Sequence, residues 1–164
     1  MTRRVLKIVI VLNQLMGVGI LALLVASLVA EDLTMRALGV GPADRNPGLV
    51  LGMRAVMVLG IAAVPVAHVV LTRLLAIVGT VADGDPFVAE NAVRLKTIAW
   101  AVLGLELLHL AVGAVVAGAS TREAPLDLDW NFSVMRWLAV LLLFVLARVF
   151  EQGSLMREDL AGTV

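Results

Sequence analysis

Hydrophobic residues in this chain are grouped into four long runs that are separated by short polar stretches. A helix needs about 20 apolar residues to cross the roughly 30 Å hydrocarbon core of a bilayer. The runs are continuous and do not alternate with polar residues, so they predict α-helices and not the strands of a membrane barrel. The predicted fold is therefore an all-α integral membrane four-helix bundle, with spans at about residues 5–30, 49–78, 92–119 and 132–150.

Composition supports a membrane protein and removes several classes of function. The chain has 164 residues, 61% hydrophobic and 16% charged, whereas soluble domains are about 45–50% apolar and 25% charged. The formal net charge is zero, which argues against direct nucleic-acid binding. There is no cysteine, and hence no disulfide or thiol chemistry. We expect one transmembrane domain over residues 1–164, ending in a tail at 151–164.

The distribution of basic residues predicts the orientation, because Lys and Arg concentrate on the cytoplasmic side. With the N-terminus inside, eight basic residues lie near the cytoplasmic side and five near the outer side. This bias favours both termini, and the turn between spans two and three, in the cytoplasm. Arg54 and Arg136 fall just within spans two and four, where we expect their side chains to extend to the outer interface.

The turn between spans two and three carries the sequence DGDPFVAEN, residues 83–91. Asp85 is suited to cap a helix N-terminus, and Pro86 is suited to the first helical position. Gly84 supplies backbone freedom just before them. The pattern thus predicts a helix that begins at about Pro86 and continues into span three.

The C-terminal tail predicts a helical extension of span four. No residue breaks the helix sharply before Gly162, although Gly153 weakens it by about 1 kcal/mol. Leu155 and Leu160 could form an apolar strip for docking a small protein. The alternative is a helix that lies on the lipid surface or packs under the turn.

Two segments, GDPFVAENAVRL and VFEQGSLMREDLAGTV, resemble the YoaS-like family of small four-helix bacterial membrane proteins of unknown function. The matching positions are Gly84, Pro86, Phe87, Asn91, Arg94, Leu95, Phe150, Gly153, Leu155, Glu158, Thr163 and Val164. Members are often encoded beside a Cro-like helix-turn-helix regulator. The resemblance implies a multi-pass protein of the bacterial inner membrane that has a transcription factor as partner.

Polar residues within the predicted spans are costly in lipid and are candidates for function. They are Asn13, Gln14, His68, Glu106 and His109. Glu106 lies near the midplane and shares a helix face with His109. Three interpretations remain open: a hydrogen-bonded network that fixes packing, a proton-coupled carrier, or a metal site formed by Glu106, His109 and His68.

No phosphate-binding loop, nucleophile elbow or metalloprotease motif is present, so we do not expect an enzyme, a cofactor or a metal. The main hypothesis is a non-catalytic membrane protein that regulates or anchors a cytoplasmic protein. The alternative is a small proton-coupled carrier or an accessory subunit of a larger membrane transport complex. The candidate partner-binding residues are Asp85, Pro86, Phe87, Asn91, Arg94, Phe150, Gly153, Leu155, Glu158 and Leu160.

Overall fold

A computed structural model describes residues 2–42, 46–119 and 133–161, with the side chains of the last helix described as far as Arg157. These residues form five α-helices and no strand, which confirms the all-α prediction for this part of the chain. The helices are α1 (Thr2–Val29), α2 (Glu31–Ala37), α3 (Pro47–Ala82), α4 (Ala89–Ala119) and α5 (Val134–Ala161).

Three helices in the described ranges, α1, α3 and α4, are long and apolar enough to cross a membrane. In the most apolar 18-residue stretch of each helix, only 6% of α1 and 11% of α3 and of α4 is buried within the chain. Most of this apolar surface thus needs lipid around it, because exposing apolar surface to water costs about 25 cal/mol per Å². The segment predicted as the fourth span lies in α5, where Arg136 and Arg148 bound the uncharged stretch. Its crossing stays a prediction.

Helix α2 lies between the first two predicted spans, in a segment where the sequence predicts an outer loop. Its residues Thr34 and Met35 are buried, and Met35 is completely so. Gly39 ends the helix with a φ of +83°, where its amide donates to the Arg36 carbonyl and the Val40 amide donates to the Met35 carbonyl. This pair of bonds satisfies carbonyls that a helix end otherwise leaves without a partner.

Helix α3 begins at a well-formed N-cap. The Leu49 amide donates to Asn46 Oδ1 over 2.7 Å, and Pro47 occupies the first helical position, where no amide hydrogen is required. The helix therefore starts two residues before the predicted span and extends to Ala82, past the predicted end at 78.

The chain forms two compact units, and helices α1, α3 and α4 contribute to both. The turn unit contains the described residues of 1–13, 66–106 and 133–164, and the α2 unit contains those of 14–65 and 107–132. The single transmembrane domain over 1–164 stays a prediction.

In the α2 unit, helices α3 and α4 approach closely at Gly52. A Cβ atom at this position would lie 2.4 Å from the Cβ of Ala119, so only glycine permits the contact. Small residues at helix contacts are typical of membrane bundles, where packing replaces the hydrophobic effect between helices.

In the turn unit, α4 and α5 run antiparallel. The rings of Trp100 and Phe144 are nearly perpendicular with centroids 5.2 Å apart, and Glu106 lies near Arg136. As the residue number increases along α4, from 100 to 106, the number of the partner residue on α5 decreases, from 144 to 136. Residues Asn91, Ala92, Leu95, Ile98 and Ala99 of α4 are buried, at helical spacing.

Candidate functional site

The turn between α3 and α4, here the α3–α4 turn, comprises residues 83–88. Gly84 has a φ of +87°, which an L side chain rarely adopts. The Gly84 amide donates to the Val81 carbonyl, and the Asp85 amide donates to the Thr80 carbonyl. Together these bonds close the C-terminus of α3, so the predicted role of Gly84 is confirmed.

The predicted start of the next helix at Pro86 is wrong: α4 begins at Ala89. The Pro86 carbonyl accepts a hydrogen bond from the side-chain amide of Asn91 over 2.9 Å, while the Asn91 backbone amide donates to Val88. Pro86 and Phe87 therefore form part of the turn. The Asp85 carboxylate was expected to cap the helix. Its described hydrogen bond instead comes from Arg157 of α5.

Asn91 is completely buried and organises the turn through its side chain. Its Nδ2 donates to Thr80 Oγ1 at 2.7 Å as well as to Pro86, and its Oδ1 accepts from the Arg94 guanidinium at 2.8 Å. Both amide hydrogens and the carbonyl are thus satisfied, as a buried amide requires. This one side chain connects the end of α3, the turn and the start of α4.

The N-terminal helix contributes a cation to the same region. Arg3 donates to the Gly79 carbonyl over 2.8 Å, and its guanidinium lies 3.6 Å from the Asp83 carboxylate. A positive charge at the C-terminal end of α3 complements the negative end of the helix dipole. In the sequence, Arg3 is one of the eight basic residues that favour a cytoplasmic N-terminus. Nothing local in the sequence indicates its contact with Gly79, 76 residues away.

The C-terminal helix packs directly on the α3–α4 turn. The rings of Phe87 and Phe150 have centroids 5.2 Å apart and are tilted by 32°. A Cβ atom at Gly153 would lie 3.1 Å from Cδ1 of Phe87, so the absence of a side chain lets this ring lie against α5. Arg157 donates a hydrogen bond to the Asp85 carboxylate. We call these three interactions the turn–tail contact.

Arg157 is the charged group most affected by this contact. The hydrogen bond to Asp85, followed by the charge of that carboxylate, raises the pKa of the Arg157 guanidinium above its usual value. Its side chain is 56% exposed, so water and salt screen the attraction strongly. The pair thus fixes the position of the tail more than it stabilises the fold.

Other residues of the predicted partner-binding set have different environments. Leu155 and the neighbouring Met156 are exposed, at 56% and 61% of their surface. Glu158 and Leu160 lie beyond the side chains that the structure describes, as do the side chains of Thr163 and Val164. The structure thus brings together Asp85, Pro86, Phe87, Asn91 and Arg94 of the turn with Phe150 and Gly153 of the tail.

The polar residues within the spans show a pairing that the sequence pattern did not predict. Glu106 Oε2 lies 3.5 Å from Nε of Arg136, a residue outside the set of five polar residues named from the sequence. The Arg136 guanidinium thus pairs with this carboxylate, and its extension to the outer interface stays a prediction. Asn13 is buried. The wider network of Asn13, Gln14, His68 and His109 stays a prediction.

No group of three or more His, Asp and Glu side chains among the described residues could hold a metal ion. Among the described residues, Glu106, His109 and His68 therefore do not form such a group.

A second polar cluster lies in the α2 unit. Arg54 donates to the Glu31 carboxylate at 2.8 Å and to Ser27 Oγ at 3.3 Å, and it also binds the Ser27 carbonyl. Its side chain is 24% exposed, and its extension to the outer interface stays a prediction. Glu31 and Arg54 have opposite charges and lie at the two span ends that one loop joins. This feature of the sequence could have indicated their ion pair.

Comparison with known proteins adds a family. A family model described as "Protein of unknown function (DUF2975)" matches residues 41–164. The chain belongs to the DUF2975 family. The matched range contains the DUF2975 turn and tail, with Asp85, Asn91 and Arg157, while Arg3 lies outside it. No curated protein and no solved structure matches this DUF2975 chain.

Proposed function

We propose that this DUF2975 protein is a non-catalytic, multi-pass protein of the bacterial inner membrane that binds a cytoplasmic protein through its α3–α4 turn and C-terminal helix. The observation that carries the proposal is the turn–tail contact. It joins two segments, far apart in sequence, into one surface held by Phe87, Phe150 and the Asp85–Arg157 pair.

The contacts of the turn unit support a topology with both termini and the turn in the cytoplasm. Arg3, from the N-terminal end of α1, binds Gly79 at the end of α3. Arg157, from the C-terminal part of α5, binds Asp85 in the turn. Segments that touch lie on one side of the membrane, which supports a fourth crossing by α5. The excess of basic residues favours the cytoplasmic side.

Exposed apolar side chains on this surface support a protein partner. Phe87 is 44% exposed although its ring packs on Gly153, and Leu155 and Met156 are exposed on the tail. The charged residues Glu151 and Arg157 flank this pair. A helix that presents an apolar pair between charges is a common element of protein recognition. The resemblance to the YoaS-like family suggests a helix-turn-helix regulator as the partner.

The proposal is tested by capturing partners from solubilised membranes. The variant Leu155→Ser/Met156→Ser removes the exposed apolar pair and leaves Phe87, Gly153 and Arg157 in place. Its matched control is Val134→Ser/Met135→Ser, an apolar pair that is even more exposed, at 71% and 73%, at the other end of α5. We expect the first variant to lose the partner and the control to keep it. Equal capture by both variants would refute the role of the tail.

The alternative of a proton-coupled carrier depended on Glu106 as an isolated carboxylate. The Arg136 guanidinium 3.5 Å away balances its charge. We therefore assign Glu106 to an ion pair that holds α4 against α5, and we propose no carrier function.

A further inference from the structure

A groove in the turn unit lies outside the turn–tail contact and has a different chemistry. It has a volume of about 440 Å³ and is lined by residues of α4 and α5. Three of its lining residues are charged: Lys96, Arg148 and Glu151. Three are large and apolar: Leu141, Phe144 and Val145.

The charged and apolar residues occupy different levels of the groove. Leu141, Phe144, Val145 and Arg148 follow one face of α5 at spacings of three and four residues. Each step of four residues advances the helix by about 6 Å. Arg148 therefore lies about one turn beyond Phe144, and Lys96 lies one turn before Trp100 on α4. Because Trp100 touches Phe144, the two cations are at the same end of the groove.

We propose that this groove binds one anionic phospholipid. Lys96 and Arg148 contact the phosphodiester, and an acyl chain lies along Leu141, Phe144 and Val145. Basic pockets between membrane helices on the cytoplasmic side are suited to anionic headgroups. The exposed indole of Trp100, one turn from Lys96, lies at the level where Trp side chains prefer the headgroup region.

The charge of the groove favours a singly charged lipid. Two cations and the Glu151 carboxylate leave one net positive charge at this end. A phosphatidylglycerol headgroup carries one negative charge, whereas phosphatidylcholine carries none. Leu141 and Val145 expose 59% and 51% of their surface, so an acyl chain would cover apolar side chains that the protein itself leaves open. The lipid therefore matches the groove in both charge and hydrophobicity.

This inference rests on the membrane placement within the proposed function and not on the cytoplasmic partner. The direct test is native mass spectrometry of the full chain, purified in detergent, with phosphatidylglycerol and phosphatidylcholine of identical acyl chains in competition. We expect phosphatidylglycerol to be retained preferentially. Equal retention of the two lipids by the wild-type protein would overturn the proposal, and this outcome requires no variant.

The variant Lys96→Gln/Arg148→Gln locates the binding. Each cation near a membrane surface contributes about fivefold to the attraction of an anionic lipid, so we expect a loss of roughly 25-fold in phosphatidylglycerol affinity when both are removed. The matched control Lys7→Gln/Arg73→Gln removes two exposed cations that do not line the groove. An equal loss in the control would show that overall charge, and not this groove, selects the lipid.

Fluorescence provides a second measure of position. The chain has three tryptophans, so Trp130→Phe/Trp137→Phe leaves Trp100 as the only reporter. Brominated phosphatidylglycerol in vesicles should quench Trp100 more than brominated phosphatidylcholine does, and Lys96→Gln/Arg148→Gln should abolish the difference. Equal quenching by both lipids would contradict the proposal. If the protein binds the lipid but captures no partner, the lipid site is supported and only the proposed docking role is refuted.

Discussion

Arg157 donates a hydrogen bond to the carboxylate of Asp85, which lies 72 residues earlier in the chain. The C-terminal helix is thereby tied to the α3–α4 turn at a point beyond the aromatic contact of Phe87 with Phe150. This pair determines where the exposed tail residues Leu155 and Met156 are presented.

Removing the charge of residue 157 should loosen the tail. Arg157→Gln deletes the guanidinium and leaves the Phe87–Phe150 contact in place. A nitroxide on Leu155→Cys, in a chain that has no other cysteine, reports the mobility of the tail by electron paramagnetic resonance. We expect the mobility of the tail to increase in Arg157→Gln. We expect no increase in Arg4→Gln, which removes an exposed cation elsewhere. Unchanged mobility in Arg157→Gln would mean that the aromatic contact alone positions the tail.

The same probe should show no response of the tail to moderately alkaline pH. Because the pKa of Arg157 is raised in the folded chain, its contribution is complete from neutral pH up to the ordinary arginine value and is lost at alkaline pH only as the pH rises through the raised one. Between about pH 7 and 10, tail mobility should therefore stay constant. High salt, by contrast, should increase mobility, because the pair is half exposed and screened. A rise in mobility across this pH range would contradict the assigned pair.

Gly153 should respond to substitution in the opposite way to a glycine in open space. Alanine favours a helix interior over glycine by about 0.5–1 kcal/mol. At Gly19 nothing lies within 4 Å of an added Cβ, so Gly19→Ala should gain that amount. At Gly153 the added Cβ would lie 3.1 Å from Phe87, and we expect Gly153→Ala to lose about 1 kcal/mol by overpacking. Unfolding in mixed detergent micelles measures both, and equal gains would disprove the packing argument.

Asn91 should tolerate no replacement by aspartate. Asn91→Asp removes the donors to Thr80 and Pro86 and buries a charge, so we expect a loss of at least about 2 kcal/mol. The control is Asn46→Asp, in which the side chain acts only as the acceptor for the Leu49 amide among its described bonds. There aspartate keeps the acceptor and suits the helix N-terminus, so stability should be unchanged or slightly higher. The comparison uses the same detergent unfolding assay.

The Glu106–Arg136 pair should show strong coupling in a double-mutant cycle. Arg136→Met alone leaves the Glu106 carboxylate without its charge partner and should cost about 3 kcal/mol. Glu106→Gln/Arg136→Met should recover most of this loss, because no unbalanced charge remains. Additive effects of the two substitutions would indicate that the side chains act independently.

Cysteine labelling can test the proposed topology in intact cells. Single cysteines at Glu90 and Leu155 should react with a membrane-impermeant maleimide only after lysis, whereas one at Arg36 should react from outside. All three residues are exposed, so their reactivity reports the side of the membrane. Labelling of residues 90 and 155 from different sides would remove the basis for a shared docking surface.

The sequence by itself determined the helices α1, α3 and α4 and the role of Gly84 in the turn, although not the last residue of α3. These features depend on local chemistry: long apolar runs have no favourable place outside lipid, and a left-handed turn residue favours glycine. It did not determine the start of α4, because that boundary depends on the bond from the Asn91 side chain to Pro86.

Only the tertiary structure decided which polar and small residues meet. Helix packing brings Asp85 to Arg157, Glu106 to Arg136 and Gly153 to Phe87, and none of these pairs is close in sequence. Glu106 had several candidate partners at suitable depth, and local patterns contain no information on the rotation of one helix against another. The physical reason is that lipid-facing and packed apolar residues look alike in sequence, so the orientation of each helix emerges only when its neighbours are in place.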